Sequence, residues 1–135
     1  MKNYYADANI ILRLLLKDLP DQTEKVEILF KKIVNQNTNI IILPSVLAEV
    51  LYVSTGSIYQ IDREIIASQL GKLLRRPEFA SKDNQIVLAS LETYKKTAFD
   101  FVDCFLTNKA KSEATQVISF DKDLDRIDEL VRVKI

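Results

Sequence analysis

The sequence predicts an α/β sandwich built around a mainly parallel sheet. Short apolar runs alternate with helical periodicities along the chain. The run Asn39-Ile40-Ile41-Ile42-Leu43 is continuously apolar after its first residue, which suits a strand covered on both faces. The prolines Pro20, Pro44 and Pro77 fall between periodic segments, as in one compact domain. With 135 residues, such a domain buries roughly two-thirds of the surface its unfolded chain exposes.

Asn3-Tyr4-Tyr5-Ala6 reads as a first strand, followed by a turn at Asp7-Ala8-Asn9. Asn9 is a candidate N-cap for a helix over Ile10 to Lys17. Pro20 opens a second helix to about Asn35, with Val26, Leu29, Phe30, Ile33 and Val34 on one face. After the Ile40 strand, Pro44-Ser45 starts a third helix to about Ser54. A fourth runs from Asp62 to Arg75, with Ile65, Ile66, Leu70, Leu73 and Leu74 apolar. Residues 77–83 read as loop or short strand. Helices follow over Asn84 to Lys96 and Asp100 to Ala114. Gln116-Val117-Ile118-Ser119 and Val131-Arg132-Val133-Lys134 read as strands, separated by a turn or helical turn over Asp121 to Arg126.

The composition excludes more than it suggests. There is no histidine, which removes Ser-His and Cys-His nucleophilic machinery and every imidazole metal site. The single cysteine, Cys104, can form neither an internal disulfide nor a thiolate zinc cage. The two glycines, Gly56 and Gly71, cannot write a phosphate-binding loop. Lys+Arg and Asp+Glu are each 19, so nucleic-acid binding would need a local basic patch. The N-terminal residues do not resemble a signal peptide and no apolar run approaches a membrane span, which predicts a cytoplasmic protein.

What remains for chemistry is oxygen. Asp7 directly follows the first strand and Asp121 follows the Val117 strand, the edge at which parallel sheets build sites. Glu49 shares helical spacing with Val46, Val50 and Val53, and Asp103 with Phe99, Leu106 and Ala110. Each is therefore expected on an apolar, inward stripe, where a carboxylate is costly unless compensated. Four converging carboxylates repel one another, and a divalent cation relieves that repulsion. With oxygen donors alone, Mg²⁺ or Mn²⁺ is the matching ion. The plainer alternatives are a cap for Asp7, a solvent-facing Glu49, a first-turn acid for Asp103 and a solvated acidic surface around Asp121. Asp121-Lys122-Asp123-Leu124-Asp125 imitates an EF-hand opening, but Arg126 and Arg132 stand where that loop needs Gly and Glu.

The ordered set of strand–Asp7-x-Asn9, Pro44-x-x-x-x-Glu49, Asp100-Phe101-Val102-Asp103-Cys104 and Ile118-Ser119-Phe120-Asp121 resembles the PIN domain family. Within it, the closest resemblance is to the VapC-type toxin ribonucleases of toxin–antitoxin pairs. The resemblance spans essentially the whole chain, taken as one domain over 1–135. It implies a three-layer α/β/α sandwich and a Mg²⁺- or Mn²⁺-dependent endoribonuclease. It makes Asp7, Glu49, Asp103 and Asp121 the catalytic and metal-binding acids, with Asn9 and Ser119 supporting them. Ser119 departs mildly from the usual Thr. Cys104-Phe105-Leu106 is bulkier than the small residues expected there. The resemblance also implies a homodimer and a cognate VapB-like antitoxin.

RNA requires cations near the acids. Arg13 lies close to Asp7 in sequence, and Lys72, Arg75, Arg76 and Lys82 form the densest basic stretch. They are the candidate phosphate contacts, although such residues are more often simply solvated. Two other classes compete. A receiver or phosphatase-like α/β domain fits poorly, because the central strand ends in Pro44-Ser45 and the first acid motif is Asp7-Ala8-Asn9 instead of Asp-x-Asp. A catalytically inactive PIN-like binding module would be expected to lose acids, and this chain keeps all four.

Overall fold

A computed structural model describes residues 2–135. Strand β1 (Lys2–Tyr5) leads through helices α1 (Ala8–Leu16) and α2 (Pro20–Ile33) to β2 (Thr38–Ile41). The two strands pair in parallel, with Lys2 opposite Thr38 and Tyr5 opposite Ile41. Helices α3 (Pro44–Thr55), α4 (Arg63–Leu74), α5 (Asn84–Lys96) and α6 (Phe101–Ser112) follow. Residues 77–83, where the sequence predicts loop or short strand, contain a short 3-10 turn at Pro77–Phe79, and a second such turn spans Lys122–Arg126. The architecture is the α/β class, helices packed about a parallel sheet.

Local chemistry explains the boundaries. The expected cap at Asn9 is displaced by two residues. Asp7 caps α1 by accepting from the Ile10 N–H at 3.2 Å, and Asn9 lies inside the helix, exposed. An aspartate with extended backbone is as good a cap as an asparagine, and it came first. Lys17 ends α1 in the left-handed conformation, its N–H donating to Arg13 O. Proline at the first position starts both α2 and α3, where its missing N–H is no loss. Asp62 caps α4 through the N–H groups of Glu64 and Ile65.

The main core gathers Ile11, Ile40, Leu47, Val50, Leu51, Ile66, Leu70 and Leu91, all nearly inaccessible. Helix α3 packs on α1 and α6, and α5 packs on α4 and α6. A second, separate cluster joins Ala110, Val117, Leu124 and Val131.

Around this cluster the expected strands shrink. The runs at 116–119 and 131–134 meet in a single parallel bridge, Val117 to Arg132. Val117 N–H donates to Val131 O and Val133 N–H donates to Val117 O, both at 2.8 Å. Pairing stops there because Ser119 turns its polar groups elsewhere. Its carbonyl accepts from the Arg132 guanidinium at 3.2 Å, and its hydroxyl accepts from the Asp121 N–H at 3.0 Å.

Candidate functional site

Each acid owes its place to a local feature. Asp7 leaves the carboxyl end of β1 as the cap of α1. Asp121 caps the turn at Lys122–Arg126, its Oδ1 accepting from the Asp123 N–H at 2.9 Å. Asp103 occupies the first turn of α6, half-buried. Glu49 lies in the middle of α3 but is exposed, not inward. The buried face of α3 is Leu47, Val50, Leu51 and Ser54. Val46 and Val53, half-buried, flank that face beside the buried Val50, and Glu49 rides further out.

The electrostatics single out Asp103. Burial pushes its carboxyl above the usual carboxylate range, and the negative charges of Asp100 and Asp121 push it further. The first turn of α6 and the end of the 117–121 segment thus share one field. Asp100 was not among the expected site residues. It occupies the N-cap position of α6 without making a side-chain cap hydrogen bond. Among the described residues, no three acidic side chains close into a ready-made metal cage. The donors around Asp103 are nonetheless carboxylate oxygens under mutual repulsion, the chemistry that a hard divalent cation relieves. Cys104 lies beside Asp103, but burial raises its thiol, which leaves it a core residue and not a nucleophile.

Two arginines hold the acid-bearing segments. Arg63 of α4 donates to Phe99 O at 2.7 Å and to Tyr94 O at 3.0 Å, and its guanidinium stacks 3.6 Å from the Tyr94 ring centroid. It thereby clamps the connection that launches α6. Arg132 is buried and makes a bidentate pair with Asp125, at 3.0 and 3.1 Å, while also holding the Ser119 carbonyl. Neither was legible as a site residue. The partners of Arg63 lie 31 and 36 residues away in sequence, and no local pattern announces such contacts. The Ser119 hydroxyl accepts from the Asp121 backbone N–H, and Asn9 occupies the first turn of α1.

The expected cations divide. Arg13 is buried and paired with Asp18 at 3.3 Å, with Asp18 also accepting from Tyr59. Apolar spacing on α1 carries Arg13 inward, where it ties α1 to the Asp18 turn. Arg76 pairs with the buried Glu78 and lies over the Phe79 ring. Lys72, Arg75 and Lys82 are exposed.

Alongside Asp103 runs a groove of about 450 Å³ between α3 and α6, lined among others by Ala48, Leu51, Tyr52, Arg63, Asp100 and Asp103. Tyr52 was also missed, although its signal was present: three residues after Glu49, it shares that helical face.

No curated protein and no solved structure gives a significant match to the chain. The model of the PIN domain family matches residues 4–130. That span takes in Asp7, Glu49, Asp103 and Asp121, so the chain belongs to the PIN domain family, whose members are generally metal-dependent nucleases.

Proposed function

We propose that this protein is a metal-dependent endoribonuclease acting as the toxin of a VapBC-type toxin–antitoxin pair. The observation that carries the reading is Asp103. A half-buried carboxylate under the charges of Asp100 and Asp121 is poorly explained as structure alone, since it opposes folding. In a PIN domain it is well explained as a cation ligand held ready.

Asp7 and Asp103 would be the principal ligands, with Glu49 and Asp121 binding directly or through water. Mg²⁺ or Mn²⁺, when bound, lowers the pKa of a water and offsets charge on the attacked phosphate. The protein's own work is positioning. Asp7 and Asp121 each accept a capping backbone N–H on one carboxylate oxygen, which fixes the side chain and leaves the second oxygen outside the cap. Ser119 fixes the backbone of Asp121, and Arg63 fixes the start of α6. Lys72, Arg75 and Lys82 supply the exposed cations that would attract RNA in a salt-sensitive way. A homodimer, a VapB-like antitoxin and a cytoplasmic setting complete the proposal. Among the described residues no helix is long and apolar enough to cross a membrane.

The test is cleavage of RNA by purified protein with Mg²⁺ or Mn²⁺ and with chelator, beside Asp7→Asn and Asp103→Asn. Activity that requires the ion and is lost in both variants is expected. Full activity in either variant would remove that acid from the site. An inert wild type that still captures an antitoxin would make the chain a binding module.

A further inference from the structure

The groove between α3 and α6 carries more apolar and aromatic surface than the holding of carboxylates requires. Tyr52 is 80% exposed on its wall, and Val102, next to Asp103, is 58% exposed. Ala48 and Leu51 supply apolar floor. The polar groups are unevenly committed. The Arg63 guanidinium donates to two carbonyls through Nη2 alone and sits over the Tyr94 ring, while its buried Nε has no hydrogen-bond partner. Asp100 makes no side-chain cap hydrogen bond although it stands at a helix N-cap, and it lines the groove instead.

An open aromatic face beside uncommitted carboxylate acceptors suits a flat ring with N–H donors on its edge. A phosphate in the same place would meet the like charges of Asp100 and Asp103, two acids against the Arg63 cation that is already stacked on Tyr94. An aliphatic side chain would fill the apolar part and leave Asp100 without a donor. We infer that the groove is a nucleobase subsite, in which an unstacked base of single-stranded RNA lies on the Tyr52 ring and donates its exocyclic amino hydrogen to Asp100. The inference rests on the ribonuclease reading and adds what the site selects. Paired RNA is disfavoured, because only a splayed base enters the groove. Adenine, cytosine and guanine are favoured over uracil, whose single edge N–H is flanked by two carbonyls that repel a carboxylate.

The chain contains no tryptophan, so Tyr52→Trp introduces one indole as a reporter of stacking. Short homopolymers of adenosine, cytidine and uridine are titrated against it in chelator. Saturable quenching is expected, roughly tenfold weaker for the uridine oligomer, the scale of one good base contact. Asp100→Asn in the same background should erase that preference. By fluorescence anisotropy, Tyr52→Ala should bind the adenosine oligomer roughly tenfold more weakly at unchanged Tm, in the range of lost base stacking. Tyr52→Phe should keep the affinity.

Binding without quenching, or unchanged affinity in Tyr52→Ala, overturns the subsite. So does an absence of binding by any oligomer. Dissociation of a dimer by Tyr52→Ala with RNA affinity intact also overturns it, in favour of a second copy covering the groove. The ribonuclease reading stands or falls separately, on cleavage. Quenching by bases with no cleavage under any divalent ion keeps the subsite and removes the nuclease.

Discussion

Asp103 is where residue chemistry and fold disagree most openly. Its carboxyl titrates higher in the folded chain than in the unfolded one, chiefly through burial. Between those two values the folded state holds more protons than the unfolded state. Its contribution to stability therefore declines as pH rises from about 4, the unperturbed aspartate value, through the raised folded value. Asp103→Asn removes the charge and keeps the shape. In chelator at neutral pH the variant should melt higher than wild type, and the difference should shrink on approach to pH 4. A variant that melts lower at neutral pH would show that the carboxylate is stabilised by contacts stronger than its repulsion. Part of the placement was legible in advance: Asp7 follows the first strand as its sequence suggests, whereas the strand expected before Asp121 shrinks to one bridge and the buried face of α6 is Phe101, Cys104, Thr107 and Ala110, with Leu106 of the expected inward stripe exposed and Asp103 half-buried at its edge. Glu49 could not be placed, because half-buried valines flank the buried face of α3 and shift the apparent phase by one position. Asp100 was visible as an acid, but its role depends on a cap hydrogen bond that is not made.

The elements show the same division between local and distant causes. Helices α2, α3 and α4 start where their prolines and Asp62 dictate, and the sequence alone locates them to within a residue or so. The late strands were misjudged because alternation can mark an extended segment without supplying it with partners. Val117 is buried, whereas Ile118 is 83% exposed, and pairing ends after one bridge. The clamp on α6 is wholly tertiary. Arg63→Met should cost about 2 kcal/mol from lost charged hydrogen bonds and the ring contact. Amide exchange at Phe99 to Asp103 should accelerate more than exchange in α3, which mass spectrometry of deuterated fragments can read. Equal acceleration everywhere would assign Arg63 to global stability and not to the site.

The whole molecule carries its acids on two apolar clusters. Asp7, Glu49 and Asp103 belong to elements of the main core, and Asp121 belongs to the segment built on Val117, Leu124 and Val131. A cluster that small cannot match the main core in stability. Amides of residues 117–133 should exchange well before those of Leu51 or Leu70, and Arg132→Met should widen the gap by leaving Asp125 only its 3.8 Å ion pair with Lys134. A single shared exchange rate would contradict the division. A cation that bridges the two parts would narrow it. Mg²⁺ or Mn²⁺ should therefore raise the Tm and slow exchange at residues 117–133 together, with both effects lost in Asp103→Asn. A higher Tm without slower exchange there would place the ion on the main core alone.

The capping bonds of Asp7 and Asp121 have a consequence for how such a site decays in lineages that stop using it. Each of these carboxylates serves a helix terminus as well as any ligand, so a chain released from selection for activity would still need a hydrogen-bond acceptor at both positions. Substitution there should drift toward asparagine, serine or threonine. Asp103 caps nothing and is half-buried, so the same release should carry it toward apolar residues. An inactive descendant would thus keep a polar imprint at positions 7 and 121 and lose it first at 103, and the order of loss would tell disuse from a change of reaction.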